Sequence, residues 1–333
     1  MANFATSFET PVTAGEAFER AGLAFKVEPQ RLTLPDGRVA ARVAQCRDDS
    51  GEILGYSAPG YVATQPADVV RMIESTAGAA GMSPRCVRLA GIHKGKLCVG
   101  IELPEGGSVI QRTRTVGDGR ADRLETFAFL GTDWDGEQSL FVRLQTHRPW
   151  CSNQYASAAL SAQIRVRHNR QHGFGVESAC QLLATAPTYA EQVAERAQLM
   201  ASTPLAPGAL RDTVGRIALA EITGDFEAVA AHAGGLDAVV AQTLGEDDTP
   251  RRMNRYRETA TEMRRLACVG AGNDGSTYWD VLNGVSDYVD HTRPERRGSS
   301  RQAQALMGVG ATFKAQAEIF VFERARAVQG ARA

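Results

Sequence analysis

The sequence lacks any apolar run long enough to cross a lipid bilayer, and Met1 to Phe8 lack the charged and apolar regions of a secretory signal peptide. An excess of one charge is also missing, because 37 lysines and arginines stand against 38 aspartates and glutamates. A near-zero net charge gives no overall attraction to nucleic acid or to membranes, so any such binding must come from local charge. We expect a cytoplasmic protein with no membrane partner.

Cysteines are few and dispersed. The chain has six, none of them in a Cys-x-x-Cys pair, and most have apolar neighbours in sequence. Zinc ribbons need such pairs, and small secreted domains need cysteines at disulfide spacing. The pattern excludes both classes and predicts buried, reduced thiols.

Catalytic signatures are missing as well. There is no nucleophile elbow, no Walker loop and no GxGxxG between a strand and a helix. His168 and His172 are four residues apart, but no Glu follows the first His as in HExxH zinc enzymes, and glycines at 173 and 175 oppose a continuing helix. The turn from Asp133 to Glu137 is too short for an EF-hand loop. These patterns predict no catalytic residues, no metal site and no cofactor.

The front of the chain has the turn signals of an antiparallel sheet. Thr13 and Glu16 form a capping box before a short helix, and Pro35-Asp-Gly37 separates two short strand patterns. Val39, Ala41 and Val43 alternate toward one face. A helix begins at Pro66 and ends near Gly78, and another hairpin follows. This half is predicted to be a β-rich sheet with a helix packed on it.

Beyond Gly175 the apolar period becomes helical and stays so. The predicted helices are Val176–Met200, Leu210–Thr223, Phe226–Leu244, Arg251–Val269, Thr277–His291 and Arg301–Arg326. Strands followed by helices indicate an α+β protein, which we divide into a sheet domain at 1–175 and a helical domain at 176–333. The stretch from Pro104 to Asp122 is interpreted as either a loop or a β-arm.

A basic segment follows the central hairpin. Arg165 and Arg167 are two residues apart, so on a strand they point to one face, and Arg170 can reach the same region. Arginines in a row suit phosphates. The predicted nucleic-acid-binding residues are Arg143, Arg148, Arg165, Arg167, Arg170, Lys94, Lys96 and Trp134. The alternative is that these arginines pair with acids of the helical half.

Two features have two interpretations each. Trp134 at a turn is either folded back on the sheet or exposed, where its indole stacks on a base or a partner. Asp280, Asn283, Asp287 and Asp290 line one face of a helix, as a metal or acid/base site or as partners of nearby arginines. Those arginines are Arg293, Arg296, Arg297 and Arg301.

Four segments carry a family resemblance. They are Gly55–Tyr56 through Tyr61–Gln65, Asp133–Ser139, Pro149–Asn153 with Ile164–His168, and Asp274–Asn283 through Tyr288–His291 followed by Lys314. This set resembles the phage/plasmid-like protein family of unknown function, found largely on phages, plasmids and other mobile elements. Trp134 stands where a histidine is common, which argues against a catalytic turn. The resemblance implies a context of mobile DNA and no active site.

The front half is also similar in outline to single-strand annealing proteins, which bind DNA along a basic groove of a ring or filament. Together with the mobile-element context, this favours a homo-oligomer that binds single-stranded DNA in recombination, annealing or replication support. One alternative is a metal-dependent nuclease or related hydrolase that uses Asp280, Asp287, His168 and His172. The other is a protein-interaction module that acts on a host factor.

Overall fold

The first hairpins form a small sheet of their own. The structure is a computed structural model that describes residues 5–93, 95–110, 122–134, 140–148, 153–155, 163–166, 176–245, 250–270, 272–294 and 308–331. The small sheet has three strands, which pair in the order β2 (Val27–Thr33), β3 (Val39–Arg47) and β4 (Ile53–Ser57). Both strand pairs are antiparallel. Turns at Gly37 and Gly51 adopt positive φ, which glycine tolerates best.

The buried part of the middle strand, β3, lies at one end. Val39 is 66% exposed, and the buried residues of β3 are Ala44, Gln45 and Cys46 at its other end. The face with Val39, Ala41 and Val43 is exposed at its start, because that end of the hairpin extends into solvent. Alternation identifies a strand but not which stretch of it is covered.

A second sheet has seven strands. Its order is β1-β5-β6-β7-β8-β10, with β9 also paired to β8. The strands are β1 (Ala5–Thr13), β5 (Arg85–His93), β6 (Lys96–Ile110), β7 (Asp122–Asp133), β8 (Leu140–Arg148), β9 (Asn153–Tyr155) and β10 (Gln163–Val166). Because β6 continues to Ile110 and β7 begins at Asp122, the ends of the Pro104 to Asp122 stretch are strand, as the β-arm interpretation requires.

Two capped helices accompany the strands. In α1 (Ala14–Arg20) the Thr13 hydroxyl accepts a hydrogen bond from the backbone N–H of Glu16 at 3.2 Å, as the capping pattern predicts. α2 (Pro66–Ala79) begins at the predicted proline and buries Val69, Ile73 and Ala77. α1 contacts β1 and β5, and α2 contacts α1 and α3.

The second half is helical, as predicted. Its helices are α3 (Val176–Ala184), α4 (Ala186–Ser202), α5 (Ala209–Thr223), α6 (Phe226–Ala231), α7 (Leu236–Leu244), α8 (Pro250–Val269), α9 (Tyr278–Asp287) and α10 (Val309–Gly330), and Tyr288–Thr292 continues α9 as a π-turn. Two predicted helices are each divided, at Thr185 and at 232–235. The second break contains Gly234 and Gly235, where glycine lowers helix stability although the apolar period continues.

Contacts divide the chain into two units, and each unit consists of three separate segments of the sequence. One comprises Met1–Gly106, Thr126–Gln145 and Ser161–Tyr189, and the other comprises Gly107–Glu125, Thr146–Leu160 and Ala190–Ala333. The sequence-based division at residue 175 differs from this grouping, because α3 and the start of α4 group with strands. In the second unit α9 contacts α5, α8 and α10. Among the described helices, none is long and apolar enough to cross a membrane.

The described cysteines are free thiols. Cys46, Cys86 and Cys98 are buried, and Cys180 and Cys268 are half-buried. Burial raises the pKa of Cys86 to about 11 and that of Cys98 to about 12, because the thiolate would lose its hydration. These two side chains are therefore protonated and unreactive at neutral pH.

Gly95 allows the closest backbone approach in the hairpin of β5 and β6. Its φ is +69°, and a Cβ there would lie 1.7 Å from the backbone oxygen of Leu54. We predict that Gly95→Ala lowers the free energy of unfolding by more than about 3 kcal/mol, since strain and a steric clash add. Chemical denaturation of the parent and the variant measures this difference in the free energy of unfolding.

Gly37→Ala is the matched control. Gly37 also has a positive φ, +82°, but a Cβ there meets nothing within 4 Å. It should cost only the left-handed strain of about 1–2 kcal/mol. Equal losses for the two variants would show that the contact with Leu54 is unimportant.

Candidate functional site

The predicted basic residues are only partly brought together. The register of β8 and β10 sets Gln163 opposite Arg143 and Arg165 opposite Phe141, so positions 143 and 165 lie on one face of the sheet. Arg148 ends β8 in the other contact unit. Arg167, Arg170 and Lys94 lie outside the described residues, and Lys96 is half-buried at the start of β6.

Arg143 uses part of its guanidinium inside the protein. Its Nη2 donates to Gln145 Oε1 at 3.3 Å, and its Cζ lies 5.6 Å from the centroid of the Phe141 ring. The side chain is half-buried. A phosphate would have to compete with these contacts, which makes Arg143 a weaker candidate than an exposed arginine.

Trp134 folds back into the sheet unit. Its side chain is 0% exposed, and its Nε1 donates to the backbone oxygen of Thr64 at 2.8 Å. The ring of Phe25 lies 6.1 Å away, centroid to centroid. An indole in this position cannot stack on a nucleic-acid base, so the prediction of Trp134 as a binding residue is wrong. The buried indole with its hydrogen-bonded N–H corresponds to the other interpretation, in which Trp134 folds back on the sheet.

The acidic stripe of α9 starts with a buried cap. Asp280 is 0% exposed, and its Oδ2 accepts hydrogen bonds from the N–H of Thr277 at 3.0 Å and from the Thr277 hydroxyl at 2.9 Å. The Thr277 hydroxyl in turn accepts from the N–H of Asp280. This is a capping box that starts the helix, and it holds the carboxylate away from solvent.

One further member of the stripe joins a buried ion pair. Asp290 Oδ1 lies 2.6 Å from the Nζ of Lys314, and Arg293 pairs with Glu221 instead of with the stripe. Asp290 therefore has a lysine partner from a later helix, and Arg296, Arg297 and Arg301 lie outside the described residues. Within the described part of the chain, no group of three or more His, Cys, Asp or Glu could hold a metal ion. His168 and His172 lie outside that part.

The largest described set of exposed cations is on α8, which the sequence analysis treated only as a helix. It carries six arginines and two glutamates, and all six arginines are exposed. They are Arg251, Arg252, Arg255, Arg257, Arg264 and Arg265. The opposite face buries Tyr256, Met263 and Leu266. The signal that finds this surface is composition, because six arginines within fifteen residues are unusual in a chain of balanced charge.

Most of these arginines are available to a ligand. Arg265 pairs with Glu262 at 2.7 Å. Arg251, Arg255, Arg257 and Arg264 have no acidic partner within the described residues. We call α8 with its six arginines the arginine helix. Arg251, Arg255, Arg257 and Arg264 can bind an anion without first losing an ion pair to a described residue.

A cavity of about 500 Å³ lies beside the arginine helix, between α5, α7 and α8. Val214 and Gly215 of α5 and Val240 of α7 line its apolar part. Arg257 and Arg264 stand at its edge. The site therefore combines an apolar space with positive charge.

Comparison with known proteins shows one family. The family described as "Domain of unknown function (DUF932)" matches residues 54–308, which is most of the chain. The protein belongs to the DUF932 family. No curated protein and no solved structure is significantly similar to it. The expected membership of a family of unknown function is thus confirmed at this level.

The DUF932 match includes both features described above. Residues 54–308 contain the arginine helix, the cavity and the acidic stripe, whereas Lys314 lies after the matched region. The buried Asp290–Lys314 pair therefore connects a residue inside the matched region to α10, which follows that region. α9 and α10 are in contact.

We predict that Lys314→Met destabilises the fold strongly. The side chains of Lys314 and Asp290 are only 1% and 5% exposed, so the variant would leave a buried carboxylate without its 2.6 Å cation. The expected loss of unfolding free energy is about 3–5 kcal/mol, measured by chemical denaturation.

Glu262→Gln is the control for this pair. Glu262 and Arg265 are as close, at 2.7 Å, but lie on the surface. Solvent screens such pairs, so little change in stability is expected. A loss in Lys314→Met no larger than that in Glu262→Gln would refute a structural role for the buried pair.

Proposed function

We propose that this DUF932 protein binds single-stranded DNA through the phosphate backbone, as a mobile-element protein in annealing, recombination or replication support. The observation that carries the proposal is the arginine helix, with six exposed arginines on one described helix. Phosphate contacts from Arg and Lys release counterions and supply most of the affinity in sequence-independent binding. No base-specific arrangement is needed for such a function.

The charge of the arginine helix is local. The whole chain is neutral within one charge, but α8 has six arginines against Glu258 and Glu262. A twenty-residue helix is about 30 Å long, and Arg251 with Arg255 and Arg257 with Arg264 lie on two different sides of it, so phosphates can contact it over most of its length. A neutral protein with one basic surface attracts a polyanion in a defined orientation.

The basic segment belongs to the same proposal. The pairing of β8 with β10 supports the strand that places positions 143 and 165 on one face. Arg148, Arg165, Arg167, Arg170, Lys94 and Lys96 stay predicted phosphate contacts. We further propose that the protein acts as a homo-oligomer, as the similarity in outline to annealing proteins implies.

We predict that Arg251→Gln with Arg255→Gln weakens binding to unrelated single strands equally. The slope of log affinity against log salt should become shallower by about 0.7 for each lost phosphate contact. Fluorescence anisotropy with labelled oligonucleotides at several salt concentrations measures both quantities.

The matched control is Arg38→Gln with Arg71→Gln. Each of these exposed arginines is paired with a nearby aspartate. The control removes the same two positive charges as the test variant, but not from α8. The control should bind as the parent does. The proposal for α8 fails if its double variant also binds as the parent, and the function fails if the parent does not bind at micromolar concentration in low salt.

Arg165→Ala with Arg167→Ala tests the basic segment separately. A similar loss of affinity and of salt slope is expected if both positions contact phosphates. Parent-like binding would mean that these arginines pair within the protein. Strand cleavage on addition of a divalent metal would instead favour the nuclease alternative with Asp280, Asp287, His168 and His172.

A further inference from the structure

The cavity between α5, α7 and α8 is shaped by small residues. On α8, Ala260 and Thr261 lie between Arg257 and Arg264, so the helix leaves room between its two arginines. On α5, Gly215 lets Leu236 pack closely, because a Cβ there would meet Leu236 Cδ2 at 2.4 Å. The resulting space of about 500 Å³ is large enough for a nucleoside-sized group.

The lining is apolar within and basic at the edge. Val214, Leu236, Val240 and Met253 provide apolar surface. Arg257 and Arg264 are exposed and have no acidic partner within the described residues. The lining residues Arg211 and Asp237 pair with each other at 2.8 Å, which leaves the cavity edge with two uncompensated positive charges.

The two charges both line the cavity on α8. Arg257 and Arg264 are seven residues apart on one helix, which separates their backbones by about 10.5 Å along the axis. A ligand that contacts both arginines and the apolar lining has an apolar group and two negative charges. A fatty acid carries charge at one end only, and an acidic helix is too wide to enter a space of this size. A nucleotide within a strand has the required pattern, because its base lies between two phosphates.

We propose that this cavity binds one unstacked nucleotide of the single strand, with the base inside and the flanking phosphates on Arg257 and Arg264. The proposal rests on the proposed function and deepens it. Guanidinium groups also stack on base faces, so the same arginines can contact the base as it enters. Tyr256 in the lining is mostly buried, and its hydroxyl is a hydrogen-bond donor for base or sugar oxygens.

The experiment compares an oligothymidylate with an abasic strand of the same length and phosphate number. Stacking of a base on a protein contributes enough for about a tenfold preference for the intact strand in the parent protein. Anisotropy at one salt concentration measures the ratio of affinities, and a salt series measures the slope for each strand.

Ala241→Trp fills the cavity without changing charge, because Ala241 is an exposed lining residue of α7. It should abolish the preference for the intact strand and leave the salt slope unchanged. Ala238→Trp on the exposed surface of the same helix, outside the lining, is the control and should keep the preference.

The outcomes separate this inference from the proposed function. Salt-dependent binding with equal affinity for both strands overturns the nucleotide site but leaves backbone binding intact. A preference that survives in Ala241→Trp also overturns this site, because the base then binds elsewhere. Failure of the parent to bind either strand overturns both proposals.

Discussion

The position of α8 depends on its close contact with α9. A Cβ on Gly284 would lie 2.4 Å from the backbone nitrogen of Ala267, so only glycine lets the two helices approach this closely. Residues Tyr278 to Ser286 of α9 are all buried. α8 packs against α5 as well as α9, and the residues that it buries include Met263 and Leu266. The arginines of α8 are then directed outward by helical geometry alone.

Burial of α9 also explains its polar residues. A buried charge requires internal partners, and Asp280 has them in the cap while Asp290 has one in the pair with Lys314. Lys314 reaches Asp290 from 24 residues later, and Glu318 pairs with Arg196 across 122 residues. Breaking such a pair is costly because the remaining charge cannot regain water. The acidic stripe therefore joins α10 to the rest of its unit, and a row of acids that looks like a metal site in sequence is part of the core.

Local patterns predicted local features, and distant contacts were beyond their reach. The cap at Thr13, the helix start at Pro66 and the hairpin turns depend on neighbours within a few residues, so sequence is sufficient for them. Trp134 is held by Thr64, 70 residues earlier, and no periodicity encodes that contact. Likewise, Lys314 follows Asp290 by 24 residues, and no local pattern encodes that pair.

The arginine helix illustrates a different gap between sequence and site. Its composition was visible, but six arginines on a helix have a function only if they share an exposed surface, and exposure depends on which face α9 covers. The cavity depends on Gly215 and on Ala260, residues without any chemistry of their own.

In the proposed function the two parts, the arginine helix and the cavity, have separate roles. Cations on a helix attract any polyanion with a strength that salt reduces. A cavity for one base distinguishes a single strand from a duplex, in which bases are stacked and paired and a flipped base costs a few kcal/mol. Charge would thus determine affinity, and the space between small residues would determine the kind of strand.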